Sequence, residues 1–223
     1  MGRYAGEQDS LEFEDHQHQV ILTQGFWLGK YEVTKRQWQA VMGTVPWAAH
    51  EYVLDDPDSP AVYVSWEDAQ AFVAAVNMLG QGTFSLPTEA QWEYACRAGT
   101  TTRFYWGDDP DYSQIANHAW YEQNAYDAGE LHAHVVRQKL PNAWGLYDMS
   151  GNVWEWCLDW WEGSYSATTM TDPSGPPSGT RHVGRGGTWR HTPWGCRSSY
   201  RGNGNVPLQE GQLGFRLART GTP

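Results

Sequence analysis

Two carboxylate side chains, Asp148 and Glu155, lie seven residues apart in a segment that also carries Gly145 and Gly151. Calcium takes six to eight oxygen ligands at about 2.3–2.6 Å, and glycines let backbone carbonyls turn toward such an ion. A calcium-binding loop is therefore one interpretation of the segment, residues 142–156. On residue chemistry alone the alternative is favoured, in which Asp148 forms an Asx turn and Glu155 pairs with an arginine, because two acids at this spacing are common.

Three cysteines, Cys96, Cys157 and Cys196, are the candidate nucleophiles and soft-metal ligands. Three is too few for a disulfide framework and is an odd number, so at least one thiol is free or pairs between chains. The sequence has no Gly-x-Ser-x-Gly elbow that would supply a serine nucleophile. His132 and His134 could bind a metal, but their setting favours an exposed pair in a loop.

Three amphipathic stretches, each preceded by a Ser or Thr cap, predict the helices that position these residues. They begin after Thr34, Ser65 and Thr88. The helix after Ser65 is the most regular, with apolar residues at the i, i+3, i+4 and i+7 positions. We expect Gly43 to end the first helix and Gly99 to end the third.

Short apolar or alternating runs predict five strands, separated by loops rich in Gly, Pro, Asn and Asp. The predicted strands are residues 18–22, 26–33, 61–64, 153–158 and 215–218. Residues 100–142 show little periodicity, which predicts a functional loop or a loop tied by a metal. These elements predict one α+β domain, residues 1–223, with about three helices, short strands and much irregular loop.

The composition limits the partners of this chain. It carries 15 Lys and Arg against 26 Asp and Glu, a net charge of −11 at pH 7 that repels nucleic acid and anionic membranes. No apolar run approaches the about 20 residues that span a bilayer, so no membrane insertion by this segment is expected. The 14 Trp, 12 Tyr and 6 Phe exclude a disordered chain.

Five ordered motifs carry a resemblance to a known family. They are residues 25–34 (GFWLGKYEVT), 86–95 (LPTEAQWEYA), 145–156 (GLYDMSGNVWEW), 185–189 (RGGTW) and 214–216 (GFR). Together they closely resemble the formylglycine-generating enzyme, or sulfatase-modifying factor, family, over nearly the whole chain. The resemblance implies a variant of the C-type lectin fold, often with bound calcium.

Calcium becomes the favoured cofactor once the resemblance is taken into account. By resemblance, one family calcium site falls on the Asp148 and Glu155 side chains together with the Gly151 and Val153 carbonyls. The loop 121–134, where a second family site would lie, departs from the family pattern. That second site would involve Asn117 and a residue near Asp127.

The catalytic cysteine pair of the family is incomplete in this chain. By resemblance, the family's enzymes oxidise a substrate cysteine with oxygen, and two cysteines five residues apart hold Cu(I) between their thiolates. Here His191 occupies the first position and Cys196 the second. A His/Cys pair can still bind copper, so Cys196 and His191 are the catalytic candidates if the chain is an enzyme. The residues favour a partly buried Cys196 thiol and a solvent-facing His191 instead.

The segment 185–216 is dense in Trp, Arg, Tyr, Asn and Gly, the side chains that supply many interface contacts. It resembles the variable proteins of diversity-generating retroelements, which use the same lectin scaffold and place their mutated residues ahead of a fixed Gly-Phe-Arg. The resemblance implies a ligand-binding surface formed by Trp189 and nine exposed variable positions. The variable positions would be Arg190, His191, Thr192, Trp194, Gly195, Tyr200, Gly202, Gly204 and Leu208.

We therefore expect a non-catalytic module that binds a protein or a small-molecule ligand through its aromatic and arginine-rich C-terminal segment. The alternative is a formylglycine-generating or related metal-dependent oxidase that uses copper and acts on a cysteine-containing protein substrate. Extracellular or cell-surface display would suit both calcium use and adhesion.

Overall fold

The computed structural model describes residues 1–202 and 210–221, and this part of the chain has a mixed α+β fold. Its α-helices are α1 (Lys35–Met42), α2 (Trp66–Met78), α3 (Glu89–Arg97) and α4 (Ile115–His118). The first three are the predicted helices, and α4 is a single turn inside the stretch predicted to lack regular structure. None of the helices in the described ranges is long and apolar enough to cross a membrane.

Each long helix begins at the predicted cap. Thr34, Ser65 and Thr88 all form capping boxes, in which the cap side chain accepts a hydrogen bond from the backbone N–H three residues on. The residue at that third position returns a side-chain hydrogen bond to the cap backbone, so two otherwise unpaired donors are satisfied. Helix α1 ends at Gly43, whose φ of 67° is the left-handed conformation that a glycine adopts without strain.

The strands are short and form three small sheets. They are β1 (Val20–Ile21), β2 (Phe26–Leu28), β3 (Thr83–Ser85), β4 (Trp154–Trp160), β5 (Met170–Thr171), β6 (His182–Arg185), β7 (Leu213–Gly214) and β8 (Ala218–Thr220). Strand β4 is central to one sheet, antiparallel to β6 and parallel to β7. Strand β8 lies between β2 and β3, antiparallel to both, and β1 pairs with β5 in parallel.

Two predicted strands are wrong, and for the same reason. Residues 61–64 form no strand: they are an apolar run buried in the core, held at one end by the Ala61 N–H that donates to Val33 O at 2.8 Å. In the run 215–218, Phe215 is also a core residue, and β8 begins only at Ala218. Both runs are apolar because they are buried, not because they belong to a ladder. The other three predicted strands are confirmed in part, because each overlaps an observed strand, β1, β2 or β4.

Large aromatic side chains fill the core between these short elements. Trp38, Trp92 and Trp156 are almost fully buried, and Trp38 stacks on Phe72 with ring centroids 5.5 Å apart. Each of the three indole N–H groups has an acceptor; for example, Trp156 Nε1 donates to Val64 O at 3.2 Å. A buried indole that is hydrogen-bonded contributes much apolar area at no desolvation penalty, which suits a fold with few regular elements.

Four arginines of the C-terminal segment are buried in ion pairs rather than exposed. The shortest pairs are Arg185 with Glu93, Arg197 with Glu7 and Glu14, Arg201 with Glu89, and Arg216 with Glu155, all at 2.5–2.7 Å. These pairs connect the segment to the N-terminal residues, to α3 and to β4. The arginines that dominate the segment's composition are therefore largely structural, since a buried charge is tolerated only when it is paired.

Candidate ligand-binding site

Cys196, the second position of the family's cysteine pair, has an exposed fraction of 0%. Its side chain packs with Ile115 and Tyr121 in a small apolar cluster. Burial raises the pKa of the Cys196 thiol to about 12. Because the thiolate is both the nucleophile and the copper ligand, burial disfavours both roles for Cys196 at neutral pH. Cys96 and Cys157 are likewise free, buried thiols.

His191, the first position of the pair, packs on the core instead of facing solvent as predicted. Its ring makes edge contacts with Trp154 and Tyr200, with centroids 5.0 and 5.8 Å apart. Its Nδ1 lies 3.0 Å from Thr188 Oγ1, and burial lowers the pKa of His191 to about 4. The ring is therefore neutral at pH 7. Within residues 1–202 and 210–221, no group of three or more His, Cys, Asp and Glu side chains is arranged to hold a metal.

The predicted exposed histidine pair is wrong for His134. Its ring is buried, stacked on Trp120 with centroids 3.7 Å apart, and its Nε2 lies 2.6 Å from Glu130 Oε2. The His134 backbone N–H donates to Asn152 Oδ1 at 2.8 Å. This contact fastens the loop that carries the histidines to the 145–156 motif, which is a structural role.

Glu155, the first predicted calcium ligand, is the partner of Arg216. Arg216 donates from Nε to Glu155 Oε2 at 2.6 Å and from Nη2 to Oε1 at 2.5 Å. Trp92 Nε1 donates to Oε2 at 2.7 Å, which fills both acceptor positions of that oxygen. A bidentate guanidinium–carboxylate pair is among the strongest hydrogen-bonded pairs in proteins. Glu155 thus forms the pair with an arginine that residue chemistry alone favours. A calcium ion would compete with Arg216 for Glu155.

Asp148, the other predicted carboxylate ligand, lies beside a second buried carboxyl group, Glu32. Arg137 N donates to Asp148 Oδ2 at 2.8 Å, and Asn152 Nδ2 donates to Glu32 Oε1 at 3.1 Å. Glu32 Oε2 has no hydrogen-bond partner in the described part of the chain. Burial raises the pKa of Asp148 to about 6, and burial and the Asp148 charge raise that of Glu32. The charge of this site fits a cation, while the arrangement of Glu155 does not.

The two predicted carbonyl ligands belong to a tightly packed turn. Gly151 has φ of 75°, and a Cβ at this position would clash with the Trp120 carbonyl oxygen. The Gly151 N–H donates to Gly186 O at 2.8 Å, and Val153 is fully buried. Close backbone approach is therefore enough to explain the glycine, whether or not an ion binds.

The residues of the second family calcium site make local contacts. Asn117 is exposed, and its Nδ2 donates to Gln114 Oε1 at 3.2 Å. Asp127 is exposed as well, with its backbone N–H donating to Glu122 O at 2.8 Å. Neither contact brings carboxylate or amide oxygens together as an ion site requires.

The predicted ligand-binding surface is exposed only in part. Arg190 is exposed, and Thr192 and Trp194 are half-buried. Three positions predicted to be exposed are buried, namely Gly195, Tyr200 and Gly202. Trp189, which belongs to the predicted surface but is not one of its variable positions, is buried as well. Tyr200 belongs to the core because it stacks on Trp154 with centroids 5.4 Å apart. Gly204 and Leu208 lie outside the described residues.

A cavity of about 270 Å³ opens beside Trp189 and Arg190. The Arg190 guanidinium lies 5.1 Å from the ring centroid of Tyr126, which stacks on Trp189. Further lining residues supply apolar and acidic groups: Tyr52, Tyr63, Leu131, Glu210, Gly211 and Gln212. We call this cavity and its lining residues the tyrosine cavity. It combines exposed aromatic rings and a guanidinium, the groups that dominate interface hot spots, with a carboxylate.

Sequence reasoning missed the three tyrosines of this cavity, since they are distant from the C-terminal segment along the chain. Tyr52 and Tyr63 have φ of 60° and 59°, in the left-handed region that bulky residues rarely adopt. Strained residues of this kind concentrate at ligand sites. No sequence pattern marks them, because neither is a glycine or an asparagine.

The helices, the short strands and the long loops define a C-type lectin-like fold of the formylglycine-generating type. A family model for the sulfatase-modifying factor enzyme 1-like domain matches residues 2–221, and the chain belongs to this family. It is 36% identical over 189 residues to the formylglycine-generating enzyme of Streptomyces coelicolor, covering 78% of this chain and 56% of that enzyme. The chain spans about half the length of the curated relatives it matches.

Solved structures agree with this assignment. PvdO from Pseudomonas aeruginosa superposes with a TM-score of 0.86 at 26% identity, covering 99% of this chain and 90% of PvdO. Treponema denticola variable protein 1 superposes with a TM-score of 0.81 at 29% identity, covering 92% of this chain and 87% of that protein. The matches confirm the family and the fold predicted from the five motifs.

Proposed function

We propose that this chain is a non-catalytic binding module of the formylglycine-generating enzyme family. The observation that carries the proposal is the state of Cys196: the thiol is sealed in an apolar cluster and its pKa is raised to about 12 by burial. His191, at the other position of the pair, contacts Trp154 and Tyr200 through its ring, and burial lowers its pKa to about 4. Soft thiolate ligands select Cu(I), and this pair supplies at most one.

The tyrosine cavity is the surface that we assign to binding. Tyr52, Tyr126 and Arg190 are exposed at its edge, and Glu210 adds a carboxylate. Tyrosine and arginine supply large contact area and hydrogen bonds at low entropic cost, which is why they recur in paratopes. The chemistry suits a peptide segment with an apolar side chain for the cavity and polar groups for Arg190 and Glu210.

Selection of displayed peptides tests this assignment. A library of random peptides is selected on the immobilised protein, and the enriched peptides are titrated against wild type, Tyr126→Ala and Tyr94→Ala. Tyr94 is the matched control, because it is a half-exposed tyrosine that lines a different groove. We expect a loss of about tenfold or more in affinity for Tyr126→Ala and none for Tyr94→Ala. Equal affinity of Tyr126→Ala and wild type would contradict the assignment.

The likeness to a Treponema denticola variable protein supports a narrower proposal, that the C-terminal segment is diversified. Burial restricts where diversity can be tolerated: Arg190, Thr192 and Trp194 reach the surface, whereas Gly195 and Tyr200 are held in the fold. The neighbouring DNA tests this proposal, since a near-identical template repeat and a reverse transcriptase gene should lie beside the coding sequence. Their absence leaves a binding module without diversification.

The second candidate function is the family's oxidase chemistry, which the 36% identity to a formylglycine-generating enzyme favours. That function requires copper at Cys196 with His191 as its partner. Competition for Cu(I) against a chromogenic chelator separates the two candidates. The oxidase requires copper transfer to wild type and not to Cys196→Ala, whereas a binding module leaves the metal with the chelator in both.

Calcium is retained as a structural proposal at Asp148 with the Gly151 and Val153 carbonyls. The support is the proximity of two buried carboxyl groups, Asp148 and Glu32: burial, and then the Asp148 charge, raise the pKa of Glu32, and its Oε2 has no partner in the described residues. A divalent cation there would neutralise both carboxyl groups. Calcium in that place would also suit extracellular or cell-surface display.

A further inference from the structure

A second cavity, of about 340 Å³, lies between the start of α3, the end of β4 and a proline-rich loop, residues 173–177. Its walls are mostly apolar, with Trp160, Met170 and Pro176 among them. None of the residues predicted from the sequence to bind a ligand or a metal lines it. We call it the Asp159 cavity, after the carboxyl group that lines its floor.

Asp159 is the buried carboxyl group of this cavity, with an exposed fraction of 4%. Its Oδ2 accepts a hydrogen bond from the Glu89 backbone N–H at 2.8 Å. None of the ion pairs formed by the described residues includes Asp159. Burial, and then the charge of Glu89, raise the pKa of Asp159 to about 7.

Arg201, an arginine of the cavity lining, is already paired with another carboxylate. Arg201 binds Glu89 with two hydrogen bonds of 2.6 and 2.9 Å and gives its remaining bonds to the carbonyls of Phe13 and Gly163. Tyr165 also donates to Glu89, at 2.8 Å. Arg201 and Glu89 therefore neutralise each other, and Asp159 has no ion-pair partner among the described residues.

Asp159 shares the lack of an arginine partner with Asp148 and Glu32, and differs in this respect from the five other buried carboxylates of the described residues. Each of those five has an arginine partner within 3 Å: Glu7, Glu14, Glu89, Glu93 and Glu155. An isolated buried carboxylate is expensive, so it is either protonated or paired with something that enters from outside. The adjoining cavity of about 340 Å³ provides room for a partner that enters from outside.

The proline-rich loop, residues 173–177, which we call the roof of the cavity, is restricted by its prolines. Pro173, Pro176 and Pro177 fix three backbone φ angles, which preorganises the loop. Gly175, with φ of 73°, lies so close to the strand end that a Cβ would meet Asp159 Cβ at 3.0 Å. The Asp172 side chain accepts the Thr23 N–H at 2.8 Å and anchors the start of the loop. A rigid roof over an unpaired carboxyl group is a preformed site.

We propose that the Asp159 cavity binds an alkylammonium group, that is, a protonated primary amine on an apolar chain. The ammonium pairs with Asp159, and the chain lies between Trp160 and the prolines of the roof. Trp160 can add a cation–π contribution. The remaining charged or titratable groups of the lining are the Met1 amino group, which donates to His18 O at 2.9 Å, and the side chains of Glu89, Glu162, His18, Tyr165 and Arg201. Glu162 disfavours an anion in this position, whereas Glu89 is already neutralised by Arg201.

Calorimetric titration of the full chain with n-hexylammonium chloride at pH 8 tests the proposal, with 1-hexanol as the neutral analogue. We expect Asp159→Asn to weaken hexylammonium binding by about 30-fold or more, because it removes one partner of a buried charge pair. Glu162→Gln, an exposed carboxylate on the rim of the same cavity, is the matched control and should change the affinity by less than about threefold. Hexanol should bind more weakly than hexylammonium.

The pH dependence of wild type gives a readout that needs no variant. Protonation of Asp159 should weaken hexylammonium binding by about 30-fold between pH 8 and pH 5.5, while hexanol binding stays constant. A capped Gly-Lys-Gly peptide distinguishes a protein lysine from a free amine, and Asp159-dependent binding of either supports the proposal. Equal binding of hexanol and hexylammonium, no binding of hexylammonium at 10 mM, or an unchanged affinity of a folded Asp159→Asn variant would overturn it.

Discussion

Replacing Arg197 by methionine separates a structural arginine from a binding one. Arg197 is fully buried and pairs with Glu7 and Glu14 at 2.7 and 2.6 Å. Arg190, seven residues earlier, is exposed over the ring of Tyr126. Both belong to the segment whose composition predicts a binding surface, and only the structure distinguishes them.

The expected magnitude follows from what the substitution leaves behind. Methionine fills a similar volume but cannot donate, so two buried carboxylates lose their cation. Removing one partner of a buried ion pair costs about 4 kcal/mol, a large share of a free energy of unfolding of about 5–15 kcal/mol. For a chain of this size that corresponds to a fall of about 8–16 °C in melting temperature.

Urea unfolding followed by tryptophan fluorescence measures this difference. Arg190→Met is the control and should change the free energy of unfolding by less than about 0.5 kcal/mol. The triple variant Glu7→Gln, Glu14→Gln, Arg197→Met should be more stable than Arg197→Met alone, because no unpaired charge remains buried. A loss of under about 1 kcal/mol for Arg197→Met, or an equal loss for Arg190→Met, would refute the assignment of Arg197 to the core.

Three further outcomes are expected. Cys196 should not react with an aromatic disulfide reagent until the protein unfolds, because burial raises the pKa of its thiol to about 12, so stoichiometric modification of the native protein would contradict its burial. Burial lowers the pKa of His191 from 6.5 to about 4, so the unfolded chain takes up this proton first as the pH falls. Wild type should therefore lose about 2 kcal/mol more free energy of unfolding than His191→Asn between pH 7.5 and pH 5, and equal losses would show that His191 is not sequestered. Added calcium should raise the melting temperature of wild type and of the exposed control Asp111→Asn but not of Asp148→Asn; no rise in wild type would remove the calcium proposal.

The local elements of the fold were predictable, because their causes are local. A cap such as Ser65 and its partner Asp68 are three residues apart, so the helix start can be read directly from the sequence. The five family motifs supplied the fold itself, and the family match over residues 2–221 confirms it. Strand limits were less predictable, because a buried apolar run such as 61–64 has the composition of a strand without a partner.

The role of the C-terminal arginines was not predictable from the segment alone. Arg197 and Glu7 are 190 residues apart, and Arg201 and Glu89 are 112 apart. Such pairings depend on the whole fold, so composition indicated an exposed arginine-rich surface where the structure has buried ion pairs. The tyrosine cavity was missed for the same reason, since Tyr52 and Tyr126 meet Trp189 only in three dimensions.

The central claim, that this chain binds and does not oxidise, is tested most directly by mass spectrometry of a substrate peptide. A peptide carrying Cys-x-Pro-x-Arg is incubated with the protein, copper and oxygen, and a formylglycine-generating enzyme serves as the positive control. A sealed Cys196 and a neutral, core-packed His191 predict an unchanged peptide mass. A mass loss that matches conversion of the cysteine to an aldehyde, absent in Cys196→Ala, would contradict the account.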